Sequence, residues 1–223
     1  MFEALFQLFF PHRCAACGNS LHWHEKVICF VCENNLPFTD FFEVQNNRVE
    51  QTFLGRIEVQ AASLLYFESD LVKPMMHALK YQNRTQVAIL FGEWIAKAIQ
   101  NSKRFPRIDL VVPVPLHPKK EKLRGFNQSW IMAKRIAEKL NVASSKDALI
   151  RKEFTSTQTK KNRIERWQNV ATVFDVKSNL ALQGKNILLV DDVVTTGATA
   201  EACLQVLQKH NANKLCFVSA ATV

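Results

Sequence analysis

The 223 residues suffice for one α/β domain with a small appendage, and an apolar fraction of 48% calls for a packed core rather than a disordered chain. Lysine and arginine number 29 against 20 acids, a formal charge of +9 that favours anionic partners: phosphorylated metabolites, nucleic acid or acidic lipid. No apolar run approaches the roughly 20 residues that a bilayer requires, so no integral membrane span is expected.

Met1 to Phe10 is apolar and ends at Pro11. Glu3 stands where a secretory signal carries positive charge, and no small-residue cleavage site follows, so a cytoplasmic protein is expected. The segment reads either as a short helix packed on its own domain or as a peripheral foot on the inner face of the membrane. Cys14-x-x-Cys17 and Cys29-x-x-Cys32 come next, and two such pairs can supply four thiolates to a tetrahedral Zn2+. Four cysteines close the shell, so such a zinc is structural; disulfides or redox pairs are the alternative. His12, His22 and His24 are near enough in sequence to replace a ligand, and Gly18 suits the turn after the first pair.

Ile57 to Phe67 predicts a strand or hairpin arm. Ser69-Asp70 then caps a helix with Pro74 in its first turn and an apolar face of Leu71, Val72, Met75, Met76 and Leu79. Val87, Leu90, Phe91, Trp94, Ile95 and Ala98 give the next helix its face. Asp109 to Val114 is a short strand stopped by Pro113 and Pro115. The basic loop that follows carries Lys119, Lys120, Lys122 and Arg124. Such a loop either holds an anionic group or is merely a solvated turn. Arg124 is the best candidate in it, since a guanidinium offers phosphate oxygens a bidentate fork.

Phe126 to Leu140 reads as a helix, Ala148 to Arg151 and Val170 to Val176 as strands. Between those strands lies a polar stretch with Lys160, Lys161, Arg163 and Arg166, long enough to act as a lid. Segment 119–124 holds four bases and one acid, and segment 151–166 six and two, so together they carry most of the positive excess.

Ile187 to Val190 has no polar residue, as befits a central parallel strand buried on both faces. A loop, Asp191-Asp192-Val193-Val194-Thr195-Thr196-Gly197-Ala198-Thr199, leads into a helix to about His210, and Leu215 to Ala221 is the last strand. Strand and helix alternate, so the fold class is α/β with a mostly parallel sheet flanked by helices. In such sheets ligands bind beyond the carboxyl ends of strands. A helix N-terminus there presents unpaired N–H groups to a phosphate. Thr195, Thr196 and Thr199 add hydroxyls, and Gly197 permits close approach or a positive φ. Asp191 and Asp192 would repel a bare phosphate, but two acceptor-only carboxylates suit the vicinal hydroxyls of a ribose. A sugar phosphate is therefore favoured over a nucleoside triphosphate, whose glycine-lysine loop is missing.

Asn186 to Thr199 resembles the signature of type I phosphoribosyltransferases. That resemblance implies that the acids hold the ribose 2′- and 3′-hydroxyls while Thr195 to Thr199 cradle the 5′-phosphate of phosphoribosyl diphosphate or a related sugar phosphate. Four features together resemble the ComF/GntX family: the cysteine module, Leu79-Lys80-Tyr81, Pro113-Val114-Pro115-Leu116 with Arg124-Gly125-Phe126-Asn127-Gln128, and the Asp191 loop. Gln158-Thr159 with Arg163, Arg166 and Asn169 is a further match.

The family resemblance implies a zinc-binding cysteine module over 1–45, a cap and helical segment over 46–105 and a phosphoribosyltransferase core over 106–223. It also implies a bacterial origin and a role in DNA uptake during natural competence, with competence proteins as partners. Three functions stay open. One is a phosphoribosyltransferase whose Mg2+ bridges the diphosphate. The second is a non-catalytic single-stranded DNA-binding protein that uses the site as a sensor, with Lys119, Lys120, Lys160, Lys161 and Arg163 on the backbone and Phe126, Phe154 or Trp167 as stacking platforms. The third is a scaffold of the uptake machinery. No residue is assigned as general base.

Overall fold

The computed structural model describes residues 12–152, 173–177 and 182–223. Its elements in chain order are α1 (Phe30–Asn34), α2 (Arg48–Gln51), β1 (Gln60–Tyr66), α3 (Val72–Tyr81), α4 (Thr85–Asn101), β2 (Leu110–Pro113), α5 (Pro118–Arg124), α6 (Gln128–Leu140), β3 (Ala143–Ser144), β4 (Leu149–Arg151), β5 (Phe174–Val176), β6 (Ile187–Val194), α7 (Ala198–Lys209) and β7 (Leu215–Thr222). Five strands form one sheet in the order β1-β7-β6-β2-β3, every neighbouring pair parallel. The α/β class and the mostly parallel sheet follow the sequence pattern.

The sheet's centre is apolar on both faces. Ile187 to Val190 and Val111 to Val112 are fully buried, and all of β7 is buried, including Ser219 and Thr222. Ser219 exchanges a side-chain hydrogen bond with Ser63, its register partner on β1. Such pairing removes the cost of enclosing two hydroxyls.

The segment Ile57 to Phe67 supplies a sheet strand rather than a hairpin arm. Its outer edge is covered: Thr39 donates its N–H to Leu64 O at 2.9 Å, and Tyr66 donates to Pro37 O at 3.0 Å. An edge covered in this way is not open to pairing with another chain.

On one face, α4 and α6 pack closely. A Cβ at Gly92 would stand 2.9 Å from Arg135 Cβ, so only glycine lets the helices approach this far. Arg135 bridges the same crossing through Glu93.

Four local expectations differ from the structure. Asp70 caps nothing: Ser69 closes the turn before α3, its Oγ accepting from Leu71 N at 3.2 Å. The basic stretch 118–124 is a short helix, started by Pro118 and stopped by Gly125 at φ 79°. Strand β6 runs on through the acids to Val194, because Val193 and Val194 continue the pairing with Ala221 and Thr222. Finally, β4 and β5 lie outside the main sheet, as an antiparallel ribbon that pairs Leu149 with Val176.

Candidate functional site

Strand β2 ends at Pro113, level with Val190 of β6. Proline cannot donate to the ladder, and the chain turns away at Pro115. Strand β6 therefore projects past its neighbour, and the projecting residues begin with Asp191 and Asp192. This is also where the strand order reverses, since β2 leads outward to β3 while β6 lies on its other side. Crevices of this kind are where open α/β sheets hold ligands.

The chain leaving β2 returns to the same spot as α6. Asn127 fixes the return: its Nδ2 donates to Val114 O at 3.1 Å, and its Oδ1 accepts from the N–H groups of Ser129 at 2.9 Å and Trp130 at 3.3 Å. The first residues of α6 then reach the acids. Gln128 Nε2 donates to Asp192 Oδ2 at 2.8 Å, and Ser129 Oγ donates to Asp191 Oδ1 at 3.1 Å. A third element closes in from the cap segment, where Lys80 Nζ of α3 lies 3.0 Å from Asp192 Oδ2. Asp192 is buried and Asp191 half-buried. Burial first, and repulsion from Asp192 second, push the Asp191 carboxyl up to about 8.

Beyond Val194 the chain bends through Thr195, Thr196 and Gly197 into α7. Gly197 has φ 72°, and a Cβ there would meet Thr52 Oγ1 at 2.9 Å and the Phe53 ring at 3.2 Å. Two constraints thus require glycine. No side chain caps α7, and Thr195, Thr196, Ala198 and Thr199 are exposed around its first turn. The loop offers open backbone N–H groups and hydroxyls two residues beyond a pair of carboxylates. That combination can hold an anion and a polyol at once.

Arg124 closes α5 with its guanidinium 5.7 Å from the Tyr81 ring centre, and Tyr81 follows Lys80 directly. The basic helix thereby reaches the acid pair through α3. Lys119 and Lys120 are exposed in the first turn of α5. Lys160, Lys161 and Arg163 lie outside the described residues, as do Phe154 and Trp167. Two bases flanking that stretch are engaged locally: Lys152 pairs with Asp175 at 2.7 Å, and Arg151 lies over Phe174.

Sequence reasoning placed Lys80-Tyr81 in a cap over the pocket and assigned no role to Gln128 or Ser129. Lys80 and Gln128 fell within quoted motifs, and the usable signal was the Asn127 helix cap that follows Gly125.

The second cluster is sulfur. The Sγ atoms of Cys14, Cys17, Cys29 and Cys32 all lie within 4.8 Å of one another, with Cys17 and Cys29 at 3.9 Å. Four sulfurs about 2.3 Å from one ion in a tetrahedron stand about 3.8 Å apart, so the donor set fits a zinc-sized cation. Local structure explains the convergence. Gly18 at φ 77° turns the first pair, its N–H donating to Cys14 O at 3.0 Å. Cys29 and Cys32 sit at the N-cap and within α1. Cys203 and Cys216 are buried core residues.

A family model described as the phosphoribosyl transferase domain matches residues 127–223. Competence protein ComFC of Bacillus subtilis (strain 168) is 32% identical over 197 residues, covering 86% of this chain and 71% of that protein. Competence protein F of Haemophilus influenzae is 23% identical over 212 residues, covering 90% of this chain and 93% of that one. DNA utilization protein YhgH of Escherichia coli (strain K12) is 29% identical over 144 residues, which is 63% of either chain. The match thus spans less than two thirds of that last relative.

Proposed function

The chain belongs to the ComF family of phosphoribosyltransferase-like proteins, and from that premise we propose that it binds phosphoribosyl diphosphate, or a related sugar phosphate, with Mg2+ at the Asp191 loop and serves DNA uptake in natural competence. One observation carries the reading: an acid pair and an uncapped helix N-terminus follow one another at the reversal point of a parallel sheet. Asp191 and Asp192 accept hydrogen bonds from the ribose diol, while Thr195, Thr196, Gly197, Ala198 and Thr199 enclose the 5′-phosphate. Arg124 contacts the diphosphate. Mg2+ would arrive with the diphosphate, need few protein ligands and neutralise part of its charge. Cys14, Cys17, Cys29 and Cys32 hold a Zn2+ that ties down the N-terminal module and takes no part in chemistry. We keep the division into a cysteine module over 1–45, a cap segment over 46–105 and a core over 106–223, the cap lending β1 to the sheet.

Calorimetry with phosphoribosyl diphosphate, with and without Mg2+, tests this reading. Asp192→Asn is expected to weaken uptake by roughly tenfold or more, since a hydrogen bond to a charged group contributes about 1.5–3 kcal/mol. No uptake by folded, metal-loaded wild type sinks the reading.

A direct role in handling single-stranded DNA is supported by the exposed Lys119 and Lys120 on α5 and by the names of the relatives. Lys160, Lys161 and Arg163, outside the described residues, are further candidate contacts in this reading. Binding of an oligonucleotide should then fall steeply with salt, by about 0.7 in log–log slope per phosphate contacted, and Lys119→Ala with Lys120→Ala should flatten the slope. A slope that neither salt nor these changes move would remove DNA from the reading. No described helix is long and apolar enough to cross a membrane. Clustered free thiols suit a reducing compartment, which supports a cytoplasmic protein.

A further inference from the structure

Among the described residues Asp192 is the one charged residue in the buried set, and its carboxylate is already well occupied. Oδ2 takes Gln128 Nε2 at 2.8 Å and Lys80 Nζ at 3.0 Å, while Oδ1 takes the Val193 N–H at 2.8 Å. Asp191 Oδ1 is likewise filled, by the Asp192 N–H at 2.8 Å and Ser129 Oγ at 3.1 Å. A carboxylate offers about four acceptor sites, two on each oxygen. What remains among these contacts is one site on Asp192 Oδ1 and both on Asp191 Oδ2. Gln128 cannot adjust much to a ligand, because its Oε1 is buried without a partner and its Nε2 is spent on Asp192.

We propose that Lys80 is a positioning residue for the acid pair: it fixes Asp192 through Oδ2, leaving Asp192 Oδ1 and Asp191 Oδ2 as the two acceptors for a ligand diol. The inference rests on the sugar-phosphate reading above and assigns to it the atoms that meet the hydroxyls. Two adjacent carboxylates in a half-buried crevice repel each other and any anionic ligand. Among the described residues Lys80 is the cation paired with Asp192, its side chain reaching from α3 and only partly exposed. Its neighbour Tyr81 lies under Arg124, so α3 also meets α5.

The groups facing the pair are few. Lys80 comes from α3, Gln128 and Ser129 from α6, and Cys203 from α7, where burial first and Asp191 second hold the thiol far above its ordinary range. Burial and Asp192 push Asp191 upward, while the charge of Lys80 draws it downward. Removing Lys80 should therefore raise the upper titration step of the pair.

The experiment follows the aspartate carboxyl carbons by NMR across pH in the ligand-free, metal-loaded full chain, for wild type, Lys80→Gln, Lys80→Met and Lys80→Arg. Glutamine keeps a hydrogen-bond donor without the charge, and it serves if methionine fails to fold. The upper step is expected to rise by about one pH unit or more in Lys80→Gln and Lys80→Met and to return in Lys80→Arg. Calorimetry with ribose 5-phosphate at neutral pH should show affinity down roughly tenfold in the two uncharged variants, with Lys80→Arg near wild type. The same comparison with 2-deoxyribose 5-phosphate should show a smaller loss, since one hydroxyl is missing. Unchanged titration and unchanged ribose 5-phosphate affinity in folded Lys80→Gln overturn the inference while leaving the sugar-phosphate reading intact. If wild type takes up no ribose 5-phosphate but the titration still shifts, Lys80 is only a counter-ion, which overturns its role toward a diol, while the phosphoribosyl diphosphate calorimetry above decides the sugar-phosphate reading.

Discussion

Asp191 carries a carboxyl that burial and a neighbouring anion both resist ionising. Its protonation in the folded state extends to about 8, whereas an unfolded chain releases that proton in the ordinary carboxylate range. Between those two limits the folded state binds more protons, so stability falls as pH rises across the window. The ligand-free protein should therefore melt at progressively lower temperature from about pH 5 to pH 8, and Asp191→Asn should flatten that trend. Thermal melts in matched buffers check it; a melting temperature that climbs over the window in wild type contradicts the assignment. At this scale much of the site was legible. Paired acids after an apolar run, three threonines and a glycine marked in advance where a strand end runs into a helix start. Lys80 was read only as part of a cap, and Gln128 and Ser129 were not assigned, because what brings them to the acids is a meeting of α3, α6 and β6 across the sheet's end. Spacing along a sequence carries no trace of such a meeting.

Helices and strands were readable wherever burial imposed a period, and misread where it did not. Helix α5 has no buried residue, and Leu123 is exposed, so no apolar face announced it. Its end signals were nonetheless present, a proline at the first helical position and a glycine after the last. Strand β3 has two residues, too few for any pattern. β4 and β5 were read as strands correctly, but nothing local says that they pair with each other rather than join the parallel sheet. The cysteine module is the opposite case, because ligand spacing is local and survives without a core. Structural zinc contributes on the order of 10 kcal/mol to folding in small finger peptides, and here the module is also tied to the body through Arg84 Nη2, which donates to Arg13 O at 2.6 Å. Titration with a mercurial should release one zinc per chain, lower the melting temperature and loosen residues around α1 while far-UV dichroism of the sheet persists. Release of no metal from freshly purified protein would contradict the zinc assignment.

At the scale of the molecule, β1 binds the sheet only through β7, with Gln60 to Tyr66 laid against Cys216 to Thr222. A fragment of residues 106–223 would lose that strand along with α4, and with them the cover over β7 and α6. Such a fragment should be insoluble or lack cooperative unfolding, despite carrying the Asp191 loop. A soluble fragment with a sharp denaturation transition would show the remaining strands to be self-sufficient. The fold class was visible from strand and helix alternation, but this ordering was not, since alternation says nothing about which strands are neighbours. The ordering has a consequence for biosynthesis. Of the five strands, β1 emerges first from the ribosome and β7 last, yet β7 is the only strand on which β1 can settle. During translation the early half must wait, the β7-facing edge of Gln60 to Tyr66 unpaired, and chaperones that shield nascent chains should engage it until the final strand arrives.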